Sequence, residues 1–125
     1  MRRWVILLSA TVFFTACSSD QAVKKYYRAC LRGHYLRAGR YVIEAQRDSY
    51  KLFDEHKGRE EKAFLRQRKV KVTEVRTTQR SDTTAVASCN LIIRTAEKTD
   101  TICKNVLLKK EKGRWRICNG ILFDK

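Results

Sequence analysis

From Lys69 onward the chain alternates apolar and polar residues with a period of two. Val70, Val72 and Val75 stand against Lys71, Thr73, Glu74 and Arg76, and a slip near Glu74 reads as a bulge. Three further strands are predicted at about Thr83 to Thr95, Thr101 to Lys110 and Arg114 to Leu122, separated by polar turns at Gln79 to Asp82, Ala96 to Asp100 and Glu111 to Gly113. Before Lys69 the period is helical. Val23, Tyr26, Tyr27 and Cys30 recur at three-to-four spacing between a possible cap at Asp20 and a stop at Gly33. A short second pattern uses Leu36, Tyr41, Val42 and Ile43. Then Tyr50, Leu52, Phe53, Ala63, Phe64 and Leu65 punctuate a charged stretch broken at Gly58, which predicts two or three helices.

Pairing the strands about their turns separates two faces, because a one-residue slip would invert every side chain. One face collects Ala87, Cys89, Leu91, Ile93, Ile102, Val106, Leu108, Trp115 and Ile117. The other holds Val86, Ser88, Asn90, Ile92, Cys103, Asn105, Leu107, Lys109, Arg116 and Cys118. The first face is the more apolar and should receive the helices. The predicted architecture is α+β: N-terminal helices packed on a curved four-stranded antiparallel sheet, a cone.

Length changes this picture little, since 125 residues make one domain and exclude a multidomain enzyme. The N-terminus changes it more. Arg2 and Arg3 precede an uncharged apolar run from Val5 to Ala16, the order of a signal peptide. Twelve helical residues would span about 18 Å, short of a hydrocarbon core of about 30 Å. The run ends in Phe14-Thr15-Ala16-Cys17, which resembles the lipobox of bacterial lipoproteins, with Phe14 standing where that family usually has Leu. The resemblance implies that residues 1–16 are removed, that Cys17 is lipidated and that residues 17–20 form a short linker to a domain over 21–125. Ser18 stands where Asp would imply inner-membrane retention in that family, so an outer-membrane address is expected.

A second resemblance covers nearly all of the remaining chain. An Ala-Val-x-x-Tyr-Tyr helix from Ala22, the run Arg32-Gly33-His34-Tyr35-Leu36-Arg37-Ala38, and a sheet ending in Gly113-Arg114-Trp115-Arg116-Ile117 are similar to small cystatin-like or nuclear-transport-factor-2-like lipoproteins of unknown function. His34 replaces the acidic residue usual in the helix-ending turn. The superfamily includes isomerases, dehydratases and plain binding domains, which makes a small-molecule carrier or enzyme using the cone cavity the alternative to a non-catalytic binding or scaffolding domain.

Catalysis needs an acid or base aimed into the cone with a hydrogen-bonding partner. The candidate cavity groups are Glu74 and Lys104, and each has a simpler reading: Glu74 follows the bulge outward, and the Lys104 stem covers apolar surface. His34 sits at a turn and His56 in a polar connection, so both are expected to be solvated. There is no Ser-His-Asp or Cys-His pairing and no paired carboxylate motif, so no catalytic residue is assigned. Cys30, Cys89, Cys103 and Cys118 permit three disulfide pairings, of which Cys30 with Cys89 is the most accessible. Buried free thiols are the favoured reading for all four. They lack CxxC or Cys/His spacing, and neither a metal nor a cofactor is expected.

Charge is the remaining signal, at 28 Lys plus Arg against 13 Asp plus Glu. Removal of residues 1–16 would leave 26 basic side chains and a net charge of +13. An exported protein does not meet cytosolic nucleic acid, so the expected partners are anionic lipid, lipopolysaccharide, acidic glycan or an acidic protein whose identity the sequence does not give. Two clusters are the candidate anion-binding groups: Arg66, Arg68, Lys69 and Lys71 where helix gives way to sheet, and Lys109, Lys110, Lys112, Arg114 and Arg116 around the last hairpin. Ordinary solvated faces are the competing explanation.

Overall fold

The computed structural model describes residues 19–119. The expected signal peptide, Cys17, Ser18 and the residues after Asn119 lie outside the described residues. The first helix, α1, occupies 19–31 and buries Val23, Tyr26, Tyr27 and Cys30, the predicted apolar stripe. Ser19 and Asp20, expected in the linker, are already helical. Asp20 is therefore not the cap. Its carboxylate instead accepts a hydrogen bond from Thr77 Oγ1 at 2.8 Å, a tie from helix to sheet that no local pattern announces.

Helix α1 ends at a Schellman turn, in which Gly33 N donates to Cys30 O and His34 N to Ala29 O, at 3.1 and 2.8 Å. Gly33 has φ +79°, and a Cβ there would lie 3.2 Å from Leu65 Cβ, so glycine serves both the left-handed turn and the close approach. Three short helical elements follow: α2 (Tyr35–Ala38) with a 3-10 turn over Gly39–Tyr41, α3 (Glu44–His56) and α4 (Arg59–Arg66). Tyr50 is the buried residue of α3 and Leu65 that of α4, which leaves their other faces charged.

The sheet is a four-stranded antiparallel meander in the order β1 (Lys69–Gln79), β2 (Thr84–Arg94), β3 (Thr99–Glu111) and β4 (Arg114–Ile117). Its register is the predicted one: Leu91 faces Ile102, Ala87 faces Val106, and Leu108 faces Ile117. The bulge is present as well. Pairing shifts between Thr73 and Arg76, and Glu74 takes φ +53°. Lys112 and Gly113, both at positive φ, form the two-residue β3–β4 turn, the backbone that matches strand twist. β4 is shorter than expected and ends at Ile117, where Ile43 N donates to Ile117 O and Val42 forms a parallel bridge. That segment covers part of the β4 edge.

The helices lie on the predicted apolar face. Ala85, Ala87, Cys89, Leu91, Val106, Leu108, Trp115 and Ile117 are buried against Val23, Tyr26, Tyr27, Val42 and Tyr50. Ile102, assigned to that face, is 40% exposed: the first half of β3 is uncovered, although its β2 neighbours Leu91 and Ile93 are buried. Leu36 is exposed too and takes no part in the core. Burying each large aliphatic side chain is worth about 1.5–3 kcal/mol, so the centre of the sheet carries most of the stability.

Candidate functional site

Aromatic side chains occupy the middle of the cone. Tyr26 and Tyr50 are fully buried, and their hydroxyls hydrogen-bond at 2.5 Å. Tyr26 packs edge-to-face on both Tyr27 and Tyr50, with centroids 5.1 and 5.9 Å apart. Trp115 closes the β4 side at 4% exposure. Burial holds the Tyr26 hydroxyl in its neutral form, and Cys30 and Tyr50 reinforce the effect. A phenol buried and paired in this way is a satisfied structural group.

The two candidate cavity groups do not meet inside this space. Glu74 is exposed, and its carboxylate accepts a 2.6 Å hydrogen bond from Asn90 Nδ2 on the outer face of the sheet. The bulge is the physical reason: its extra residue turns the Glu74 side chain away from the helices. Lys104 is opposite Cys89 on the inner face but only half-buried, beyond the helix-covered part of the strand.

Each of the four cysteines is a free thiol. Cys30 and Cys89 are buried as expected, whereas Cys103 is exposed and Cys118 half-buried, because both belong to the outer-facing register of the sheet. Burial pushes the Cys30 thiol up to about 12 and that of Cys89 to about 11. Thiolate is the reactive form. Iodoacetamide at about pH 8 should therefore modify Cys103 first and leave Cys30 and Cys89 protected until the protein unfolds, as peptide mass mapping would record. Equal labelling of Cys30 and Cys103 in the native protein would contradict this packing. Because both buried thiols are raised above the ordinary value of 9.0, their contribution to stability is complete below pH 9. It is lost as pH climbs towards 11 and 12.

Several surface clefts among the described residues are rich in basic side chains, while another, about 450 Å³ and lined by Phe64, Gln67, Arg68, Glu97, Lys98 and Asp100, has balanced charge. Two adjoining clefts, about 510 and 560 Å³, share Arg47 and Arg116. The first is completed by Lys112, Arg114, Glu44 and Glu111, the second by Arg40, Lys51, Asp48 and Leu36. Arg116 donates to Arg40 O at 2.6 Å, which fixes its guanidinium at the border. Partial burial, followed by repulsion from Arg47 and Arg114, lowers the Arg116 pKa. Glu111 offsets this, and it also accepts the Glu44 backbone N–H at 3.1 Å at the start of α3. A smaller cleft, about 260 Å³, lies between α1 and α2 and is lined by Lys25, Arg28, Arg32, His34, Arg37 and Tyr41.

The structure thus brings Lys112, Arg114 and Arg116 of the second predicted cluster into one cleft. Lys109 is exposed directly opposite Arg116 in the β3–β4 ladder, while Lys110 sits over the Trp115 ring at 5.7 Å. In the first cluster Lys69 and Lys71 project to the outer face of β1 and Arg66 is exposed on α4. Arg68 is half-buried, stacks on Phe64 at 5.9 Å and has a buried Nε without an acceptor, so it serves packing more than solvent-side charge. Arg94, opposite Lys69, and Arg47 belong to these patches but escaped the sequence reading, because only strand pairing and helix docking bring them there.

No family model and no curated protein sequence matches the chain. Solved structures do. An NTF-2 like protein of unknown function from Shewanella oneidensis MR-1 superposes with a TM-score of 0.55 at 16% identity, over 78% of this chain and 88% of that one. A SEC-C motif containing protein from Rhodopseudomonas palustris superposes at 0.55 with 12% identity, over 83% of this chain and 77% of that one. At such identities the likeness concerns the backbone alone. With its meander sheet curved around N-terminal helices, the chain has the nuclear-transport-factor-2-like α+β cone fold.

Proposed function

We propose that this protein is a lipid-anchored, non-catalytic binding domain of the bacterial outer membrane, which contacts an anionic envelope component through its cationic surface. The observation that carries this reading is the pairing of like charges across the outer face of the sheet: Lys69 stands directly opposite Arg94, and Lys109 opposite Arg116. Directly opposed like charges destabilise an antiparallel pair, and a bound anion relieves that cost. The tyrosines and Trp115 packed in the cone argue against the alternative, a carrier or isomerase-like enzyme, because a ligand pocket needs open volume lined by a few oriented polar groups.

Anchoring follows from the lipobox-like Phe14-Thr15-Ala16-Cys17, and Ser18 supports the outer-membrane address. The lipid would concentrate the domain beside anionic headgroups or lipopolysaccharide, where weak charge contacts suffice to orient it. Intact-mass analysis of protein extracted from separated inner and outer membranes tests the anchor. The expected species begins at an acylated Cys17 and partitions with the outer membrane. An unmodified Cys17 on a chain that retains Met1 would overturn it.

A further inference from the structure

The cleft between α1 and α2 has a different character from the mixed-charge clefts around Arg116. Lys25 and Arg28 share one face of α1, Arg32 follows at its end, and the Schellman turn at Gly33 folds the chain back so that Arg37 of α2 joins them. No carboxylate lines this cleft. Asp54, the acid that acts on His34 from α3, is engaged by Lys62 at 3.3 Å. Arg32 is anchored through its Nη2 to Arg66 O at 3.2 Å, and its Nε is buried without an acceptor. Several cations held together with no carboxylate among the lining residues make this cleft a favourable place for an anion.

We infer that this cleft binds a phosphate group, either as free inorganic phosphate and pyrophosphate or as the phosphate carried by an anionic lipid. Phosphate is favoured over carboxylate because its tetrahedrally arranged oxygens reach more than one planar guanidinium fork at once, whether it is a singly charged lipid diester or the more highly charged free anion. A cleft of about 260 Å³ has room for such a group and not for a folded peptide. The site shares no lining residue with the Lys69–Arg94 patch, so its failure would leave the polyanion reading of that patch standing.

His34 supplies an internal reporter. Partial burial first, then Arg37, Arg66 and Arg32, lower its pKa below the ordinary 6.5, and Asp54 opposes them. A phosphate among these cations cancels their repulsion and favours imidazolium, so binding raises the His34 pKa. By linkage the anion then binds more tightly as pH falls through the His34 titration, about tenfold for each unit of upward shift. His56, the second histidine, is exposed on α3 and absent from the cleft, which makes it the reference.

The test is an imidazole NMR titration of the full chain in neutral detergent micelles, with pyrophosphate added in one arm and phosphatidylglycerol doped into the micelles in the other. The expected result is an upward His34 shift of about half a unit or more in at least one arm, with His56 unmoved, and the responding arm identifies the source. Combined substitution R28Q and R37Q, both at exposed positions, should abolish the shift. No movement of His34 in either arm, equal movement of His34 and His56, or a shift that survives the double substitution would each overturn the inference.

Discussion

Trp115→Ala should unfold the domain at temperatures where the wild type is fully native. Trp115 is the largest side chain of the shortest strand, is 4% exposed, and lies between the β3–β4 turn and the helix-covered core. Truncating a buried Trp costs about 3–5 kcal/mol through lost transfer energy and the cavity left behind. Against a typical domain stability of about 5–15 kcal/mol, that is a fifth or more. A domain of this size loses about 4–8 °C per kcal/mol, so melting followed by circular dichroism should move down by about 12–40 °C. Trp115→Phe keeps most of the apolar volume and should cost less than half as much. A Trp115→Ala melting point within a few degrees of wild type would mean that the cone is not closed by this side chain.

The second large effect concerns charge. Replacing Arg66, Lys69, Lys71 and Arg94 together by Gln should weaken binding to anionic vesicles by about two to three orders of magnitude, since each basic side chain near an anionic surface contributes about 1 kcal/mol. Arg68 is best left intact, because its stacking on Phe64 would confound the result with a packing loss. The four chosen residues are exposed, and the substitutions remove the Lys69–Arg94 repulsion, so thermal stability should hold or rise. Sedimentation of the domain beginning at Ser18 with vesicles measures this. Unchanged affinity would leave the net charge as a solubility feature.

Much of the sheet was legible because its information is local. Alternation fixed which residues of β2 share a face, Lys112-Gly113 fixed the last turn, and the two together set the register down to Cys118 opposite Leu107, where Cys118 N now donates to Leu107 O at 2.8 Å. The slip at Glu74 was visible too, but which way the bulge would turn its carboxylate depended on Asn90, sixteen residues away. What escaped the sequence was set by tertiary contact. Asp20 has the chemistry of a cap, yet Thr77 claims it from a strand 57 residues distant. Lys25, Arg28 and Arg32 look like an ordinary solvated helix face until the reversal at Gly33 sets Arg37 and His34 beside them. Leu36 fits an apolar stripe on paper, but α2 is a single turn whose buried side chains are Tyr35 and Ala38.

The most direct measurement of a surface function is a salt titration of the domain beginning at Ser18, free of lipid, on anionic and on neutral vesicles. Raising ionic strength from about 0.1 to about 1 M shortens the screening distance from about 10 to about 3 Å, which removes attraction between exposed charges while leaving the core intact. The predicted result is retention on anionic vesicles at low salt, release at high salt, and no retention on neutral vesicles under either condition. Absence of binding to anionic vesicles at low salt, or equal binding to neutral ones, would contradict an electrostatic role for this protein.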